Sequence, residues 1–216
     1  MINVDAIKLM EWQFLQPYPF VPNRRIYATN MAVFSFLKQE FQKGSIYDNH
    51  LFRWGFSSFY GMGIVPDSAQ TAFYSKMEKL RHQHENLNAR ALTEELQVAM
   101  GKNYFSFITK MLNLLNDEAY PIYDSQVVTV FQRPFTPEES TLDHKDAIYQ
   151  DILDTYRALR DHPVIEEFHA HIDCPGIGYM KILDTIFWCL GAMLDAEGLE
   201  LSPAEFLQEH GLKRVF

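Results

Sequence analysis

A chain of 216 residues with 47% hydrophobic content can bury a sizeable core, which excludes a largely disordered protein. The formal net charge of −9 is unevenly divided, because residues 1–110 carry 12 Lys and Arg against 9 Asp and Glu, whereas residues 111–216 carry 7 against 19. An acidic second half repels a phosphate backbone, so a nucleic-acid surface would have to form on the first half.

Hydrophobic positions at helical spacing predict most of the elements, and no segment alternates for long enough to indicate a strand. The chain should therefore be all-α, with about nine helices. In chain order, helical segments are predicted at 5–16, 23–43, 66–86, 89–100, 104–115, a short run after 124, 143–160, 163–172, 177–194 and a last segment with a capping box, Ser202–Glu205. The aromatic stretch 47–60 is either a stacking surface or core.

The most informative stretch is 101–131, which holds a tight turn, a nearly all-apolar helix and an isolated acid. Two adjacent apolar stripes on the helix predict that most of its surface is buried. The polar residues share the third side; they are Ser106, Thr109, Lys110, Asn113 and Asn116. Asp124 precedes a short apolar run and is expected to be a helix N-cap.

Several classes of site find no support in the sequence. Glycine-rich phosphate loops are absent, and the histidine-containing segments His82-x-His84 and 166–173 lack the further ligands that a metal site needs. We predict no metal and no cofactor. With no signal peptide, no membrane span and only Cys174 and Cys189, a soluble, cytoplasmic protein with reduced thiols is expected.

Lys181 and Asp184 stand three residues apart inside an otherwise apolar helix, where charges need partners. Two interpretations remain open. They form an internal ion pair that fixes helix packing, or they form a catalytic pair.

The order of helix 89–100, turn 101–103, buried helix 104–115 and Asp124 resembles the helix-hairpin-helix DNA glycosylase superfamily, including its 8-oxoguanine-glycosylase-like members. The family hairpin reads Leu-Pro-Gly-x-Gly, and Ala99-Met100-Gly101-Lys102-Asn103 keeps its first glycine. The segment Pro-Ile-Tyr-Asp-Ser-Gln-Val around Asp124 is similar to the family's aspartate segment, Val-Asp-Thr-His-Val.

The resemblance implies a role for each matching position. Gly101, Lys102 and Asn103 would bind a DNA phosphate, with Asn103 in a left-handed conformation. Asp124 would be the catalytic acid of a monofunctional glycosylase that excises a base from DNA. Phe105 falls where bifunctional members carry a lysine, so Lys110, one turn further on, would reach the site only if the hairpin is shifted.

Further candidates complete the predicted site. Arg53, Lys76 and Lys79 would extend the nucleic-acid surface, and the side chains expected to stack on a flipped base are Trp54, Phe56, Tyr60 and Tyr123. The expected architecture is one all-α domain, 1–216, with two lobes around a cleft, 24–131 and 1–23 plus 132–216.

A different class of function is also compatible with these residues. The alternative is a non-catalytic all-α interaction protein, whose acidic C-terminal half binds a protein partner. In that case Asp124 only caps a helix and Lys110 is solvated.

Overall fold

The computed structural model describes residues 1–14, 24–83, 85–131, 141–163, 165 and 176–196. Within these ranges the chain forms nine α-helices and one 3₁₀ turn, and no strand, which confirms the all-α prediction. The helices are α1 (Val4–Phe14), α2 (Arg24–Gln42), α3 (His50–Tyr60), α4 (Asp67–Leu80), α5 (Ala89–Met100), α6 (Phe105–Leu115), α7 (Ser125–Phe131), α8 (Leu142–Ala158) and α9 (Tyr179–Ala196), with the 3₁₀ turn at Met62–Ile64.

Capping residues account for several of the boundaries. Asn49 and Asn88 accept hydrogen bonds from backbone amides at the starts of α3 and α5. Gly61 and Gly101 end the same two helices in the left-handed conformation. The aromatic stretch 47–60 thus contains a helix, and the helix predicted to reach residue 86 ends at Leu80. The capping box at 202–205 and most of the segment 163–172 lie outside the described residues.

The buried side chains form one contiguous hydrophobic cluster to which all nine α-helices contribute. Helix α6 lies within it, as its apolar stripes predict, with Phe105, Ile108, Met111 and Leu112 at 1% exposure or less. One core spans the described helices, and no boundary within it marks two lobes. The two-lobe division stays a prediction.

The closest helix packing brings α7 against α9 through a glycine. A Cβ atom at Gly191 would lie 1.8 Å from the carbonyl oxygen of Gln126, so only a residue without a side chain fits there. Gln126 is the second residue of α7, and Asp124 directly precedes that helix. The glycine in α9 therefore helps to set the position of Asp124.

A buried carboxylate fixes the start of α9. Asp117 accepts hydrogen bonds from the Gly178 amide at 2.6 Å and from Lys38 Nζ at 2.8 and 2.9 Å. Since Lys38 belongs to α2, these contacts join α2, the loop after α6 and the first residues before α9.

Among the helices that the structure describes, none combines the length and apolar character needed to cross a membrane. Cys189 is buried in α9, and burial raises the pKa of its thiol to about 12. Cys174 lies outside the described residues.

Candidate functional site

The polar side of α6 holds the segment that leads to Asp124. Thr109 Oγ1 accepts a hydrogen bond from the Tyr123 amide at 3.0 Å, and Asn113 Nδ2 donates to the Tyr120 carbonyl at 2.7 Å. Both side chains are fully buried. The polar residues that the sequence places on one side of the helix thus bind a neighbouring stretch of backbone and fix its register along α6.

Asp124 has two partners, one for each carboxylate oxygen. Its Oδ1 accepts from the Gln126 amide at 3.2 Å, as expected of an N-cap, and its Oδ2 lies 2.9 Å from Lys110 Nζ. Lys110 is only 8% exposed, so the interpretation of this lysine as a solvated residue is wrong. The N-cap therefore also belongs to a largely buried ion pair.

One face of α9 brings a second ion pair to the same region. Lys181, Asp184, Thr185 and Trp188 follow the spacing of a single helix face. Lys181 Nζ lies 3.2 Å from Asp184 Oδ2, and the two residues are 5% and 3% exposed. The ion pair of the first interpretation is confirmed, whereas a catalytic role for the two residues stays a prediction.

The two ion pairs line one partly open cavity of about 140 Å³. Its walls come from α2, α3, α6, α9 and the segment before α7, and its lining residues are Asn30, Phe59, Tyr60, Lys110, Ile122, Asp124, Lys181, Asp184, Thr185 and Trp188. Each ammonium group also lies near aromatic rings. Lys110 Nζ is 5.5 Å from the ring centre of Tyr60, and Lys181 Nζ is 5.9 Å from that of Phe59.

Burial shapes the proton affinities of this cavity. It raises the pKa of Asp184 to about 6; the nearby Asp124 carboxylate also raises it, while Lys181 and Lys110 act in the opposite direction. The pKa of the Tyr60 hydroxyl is well above its usual value, mainly because of burial and further because of Asp184 and Asp124. Asp184 therefore takes up a proton at a higher pH than an ordinary carboxyl group does.

This raised pKa predicts a pH dependence of stability. Between 3.8, the ordinary carboxyl value, and about 6, the native state keeps the Asp184 proton that the unfolded chain releases. The contribution of Asp184 to the free energy of unfolding should therefore fall as pH rises through this window and stay constant above it. Urea unfolding across the window, with Asp184→Asn for comparison, measures this contribution. An Asp184 midpoint below 4 by carbon NMR would contradict the assignment.

The cations predicted to contact nucleic acid lie elsewhere. Arg53, Lys76, Lys79 and Lys102 do not belong to the described lining of the cavity. Lys76 Nζ lies 2.6 Å from Glu95 Oε2, so its charge is already compensated, whereas Lys79 and Lys102 are exposed. Arg53 donates from Nη2 to His50 Nδ1 if that nitrogen is unprotonated.

The turn between α5 and α6 has a left-handed residue at Gly101 but not at Asn103, where the resemblance implied one. Gly101 has a φ of 73°, but Asn86 is the only non-glycine residue with positive φ in the described part of the chain. The prediction of a left-handed Asn103 is therefore wrong. Instead, Asn103 Oδ1 accepts a hydrogen bond from the Phe105 amide at 3.0 Å and so supports the start of α6.

The four predicted stacking residues occupy different environments. Tyr60 lines the cavity, and Trp54 is 69% exposed on α3. The prediction that Phe56 stacks on a base is wrong, because its ring is fully buried against Phe52 and Phe73. Tyr123 is also buried, and it meets Phe105 edge to face.

Sequence reasoning missed several cavity residues, namely Asn30, Phe59, Ile122, Thr185 and Trp188. The helical offsets from Lys181 point to Thr185 and Trp188, whereas Asn30 and Ile122 carry no comparable signal. No group of three or more metal-binding side chains occurs in the described ranges. His84 and the segment 166–173 lie outside those ranges.

Comparison with family models, with curated proteins and with solved structures gave no match for this chain.

Proposed function

We propose that this protein recognises a base in DNA and cleaves its N-glycosidic bond, with Asp124 as the central carboxylate. The observation that carries the proposal is the cavity in which Asp124 and Lys110 form an ion pair beside the aromatic side chains Phe59, Tyr60 and Trp188. Aromatic surface next to a fixed carboxylate suits a base that has been rotated out of the helix.

The contacts of Asp124 suit a reaction without a covalent intermediate. As the bond between C1′ and the base breaks, the bonding electrons leave with the base, and positive charge develops on the sugar. A carboxylate held on both oxygens can stabilise that charge and accept a proton from the water that attacks C1′. The proton that Asp124 accepts from the water passes on to the departing base, so the products are the free base and a sugar hydroxylated at C1′, and atoms and charge balance.

Lys110 has a supporting role in this scheme. Its ammonium group lies 2.9 Å from Asp124 Oδ2 and favours the ionised carboxylate. The surrounding side chains exclude most solvent, which strengthens the electrostatic interactions within the cavity. Lys110 is therefore assigned to positioning and to charge balance around Asp124.

Base release from duplex DNA tests the proposal. Wild-type protein should bind duplexes at low salt and release a base from at least one of a panel that carries varied lesions or modified bases. Mass spectrometry identifies the free base, and alkali cleavage maps the abasic site. Asp124→Asn protein prepared in parallel controls for contaminating enzymes. If the protein neither binds any of the duplexes nor releases a base from them, this class of function is rejected.

A second candidate is a non-catalytic interaction protein. Three observations favour it. Lys76 is paired with Glu95, and none of the predicted DNA-binding cations belongs to the described lining of the cavity. Leu51 and Trp54 also lie one turn apart on α3 and are 51% and 69% exposed. Under this function the protein would release no base, and substitutions at Leu51 and Trp54 would weaken binding to a protein partner.

A further inference from the structure

The Asp184 carboxylate has one oxygen engaged and one without a partner. Oδ2 accepts from Lys181 Nζ at 3.2 Å, whereas Oδ1 has no hydrogen-bond partner within the described part of the chain. The residue is 3% exposed and lines the cavity. The Tyr60 hydroxyl, from the same cavity lining, is likewise buried and without a partner in those ranges.

Such groups are uncommon in folded proteins because a buried polar atom without a hydrogen bond destabilises the fold, and a charged atom does so more strongly. An unsatisfied carboxylate oxygen beside a cavity is therefore a natural acceptor for an N–H group of a ligand.

The size of the cavity restricts the ligand further. A volume of about 140 Å³ is close to that of engineered apolar cavities of about 150 Å³ that bind benzene. One six-membered ring fits this space, whereas a fused two-ring purine would have to extend through the open side of the cavity. The aromatic side chains of Phe59, Tyr60 and Trp188 supply apolar surface for such a ring.

We propose that Asp184 determines which base the cavity accepts, by accepting a hydrogen bond from an N–H of a pyrimidine ring through its Oδ1. Lys181 contributes the neighbouring donor, because an ammonium group has three protons and Asp184 Oδ2 engages one of them. An acceptor beside a donor complements the adjacent N–H and carbonyl of uracil-type bases, and the amino group and ring acceptors of cytosine-type bases. This inference rests on the proposed function for its view that the ligand is a DNA base.

Two assays separate this inference from the proposed function. Release of pyrimidine-derived and purine-derived bases from otherwise identical duplexes is compared for wild type and Asp184→Asn. Binding of free uracil, cytosine and adenine is measured by titration calorimetry. Asp195→Asn, an exposed substitution on the same helix, is the matched control.

Wild type should release or bind pyrimidines in preference to purines. Asp184→Asn should lower the rate of pyrimidine release and the affinity for free pyrimidines by about 10- to 100-fold, the effect of one hydrogen bond to a charged group. Asp195→Asn should behave as wild type. Release of purines as readily as pyrimidines would overturn the inference and leave the proposed function standing. If no duplex is cleaved, the proposed function fails, and calorimetry alone decides the inference: pyrimidine binding that depends on Asp184 supports it, and its absence overturns it.

A measurement on the wild type covers the case in which Asp184→Asn does not fold. Burial raises the Asp184 pKa to about 6, and the titratable groups that interact with Asp184 are Lys181, Lys110, Asp124, Tyr60, Tyr149 and Tyr156. Uracil does not change its protonation near neutral pH, so its affinity should fall as Asp184 gains a proton below pH 6. Uracil binding that does not change across this range would overturn the inference.

Discussion

Replacing Asp124 with Asn should lower the rate of base release by about 10²- to 10⁴-fold, the usual contribution of a positioned acid or base. The substitution isolates the charge, because Asn is as good an N-cap as Asp and can still accept from the Gln126 amide. The remaining amide oxygen can also accept from Lys110. Stability should therefore fall by only about 1–2 kcal/mol.

Single-turnover release from the duplex that wild type cleaves best measures this effect, and circular dichroism checks the fold. Asp195→Asn, an exposed aspartate on α9, provides a control of the same chemical change and should keep full activity. Equal rates for Asp124→Asn and wild type would remove Asp124 from the reaction.

Gly191→Ala should destabilise the protein by about 2 kcal/mol. The added Cβ would lie 1.8 Å from the Gln126 carbonyl oxygen, so α7 and α9 would have to move apart. Overpacking that shifts the backbone costs typically about 1–3 kcal/mol, and this contact should lie at the upper end, while Ala recovers about 1 kcal/mol of helix propensity. Because Asp124 directly precedes α7, base release should fall as well.

Urea unfolding at constant pH measures this change, with Gly63→Ala as the control. A Cβ at Gly63 would meet nothing within 4 Å, and that variant should have nearly the stability of wild type. If Gly191→Ala unfolds at the same urea concentration as wild type, the close approach of α7 and α9 is incorrect.

Local patterns were sufficient to predict most of the fold. The apolar stripes of α6 indicated its burial, and the position of Asp124 before a short apolar run indicated its N-cap. Both depend on residues within a few turns of each other, where helical periodicity and capping chemistry act directly.

The cavity depends on contacts that local patterns do not report. The alternative of a solvated Lys110 followed from its place on the polar side of α6. Thr109 and Asn113 on that side bind the backbone of the 120–124 segment, however, and Lys110 is buried beside it. The alignment with the glycosylase hairpin placed the lysine position at Phe105, which is buried against Tyr149. The union of the two ion pairs in one cavity follows from the packing of α9, some 60 residues further along the chain.

The structure of Asp124→Asn protein bound to its preferred duplex would show whether the cavity receives a DNA base. We expect a base rotated out of the helix and seated in the cavity, with its sugar C1′ beside residue 124 and its ring near Tyr60 and Asp184. A complex in which DNA contacts another face, with every base still stacked and the cavity empty of DNA, would contradict it.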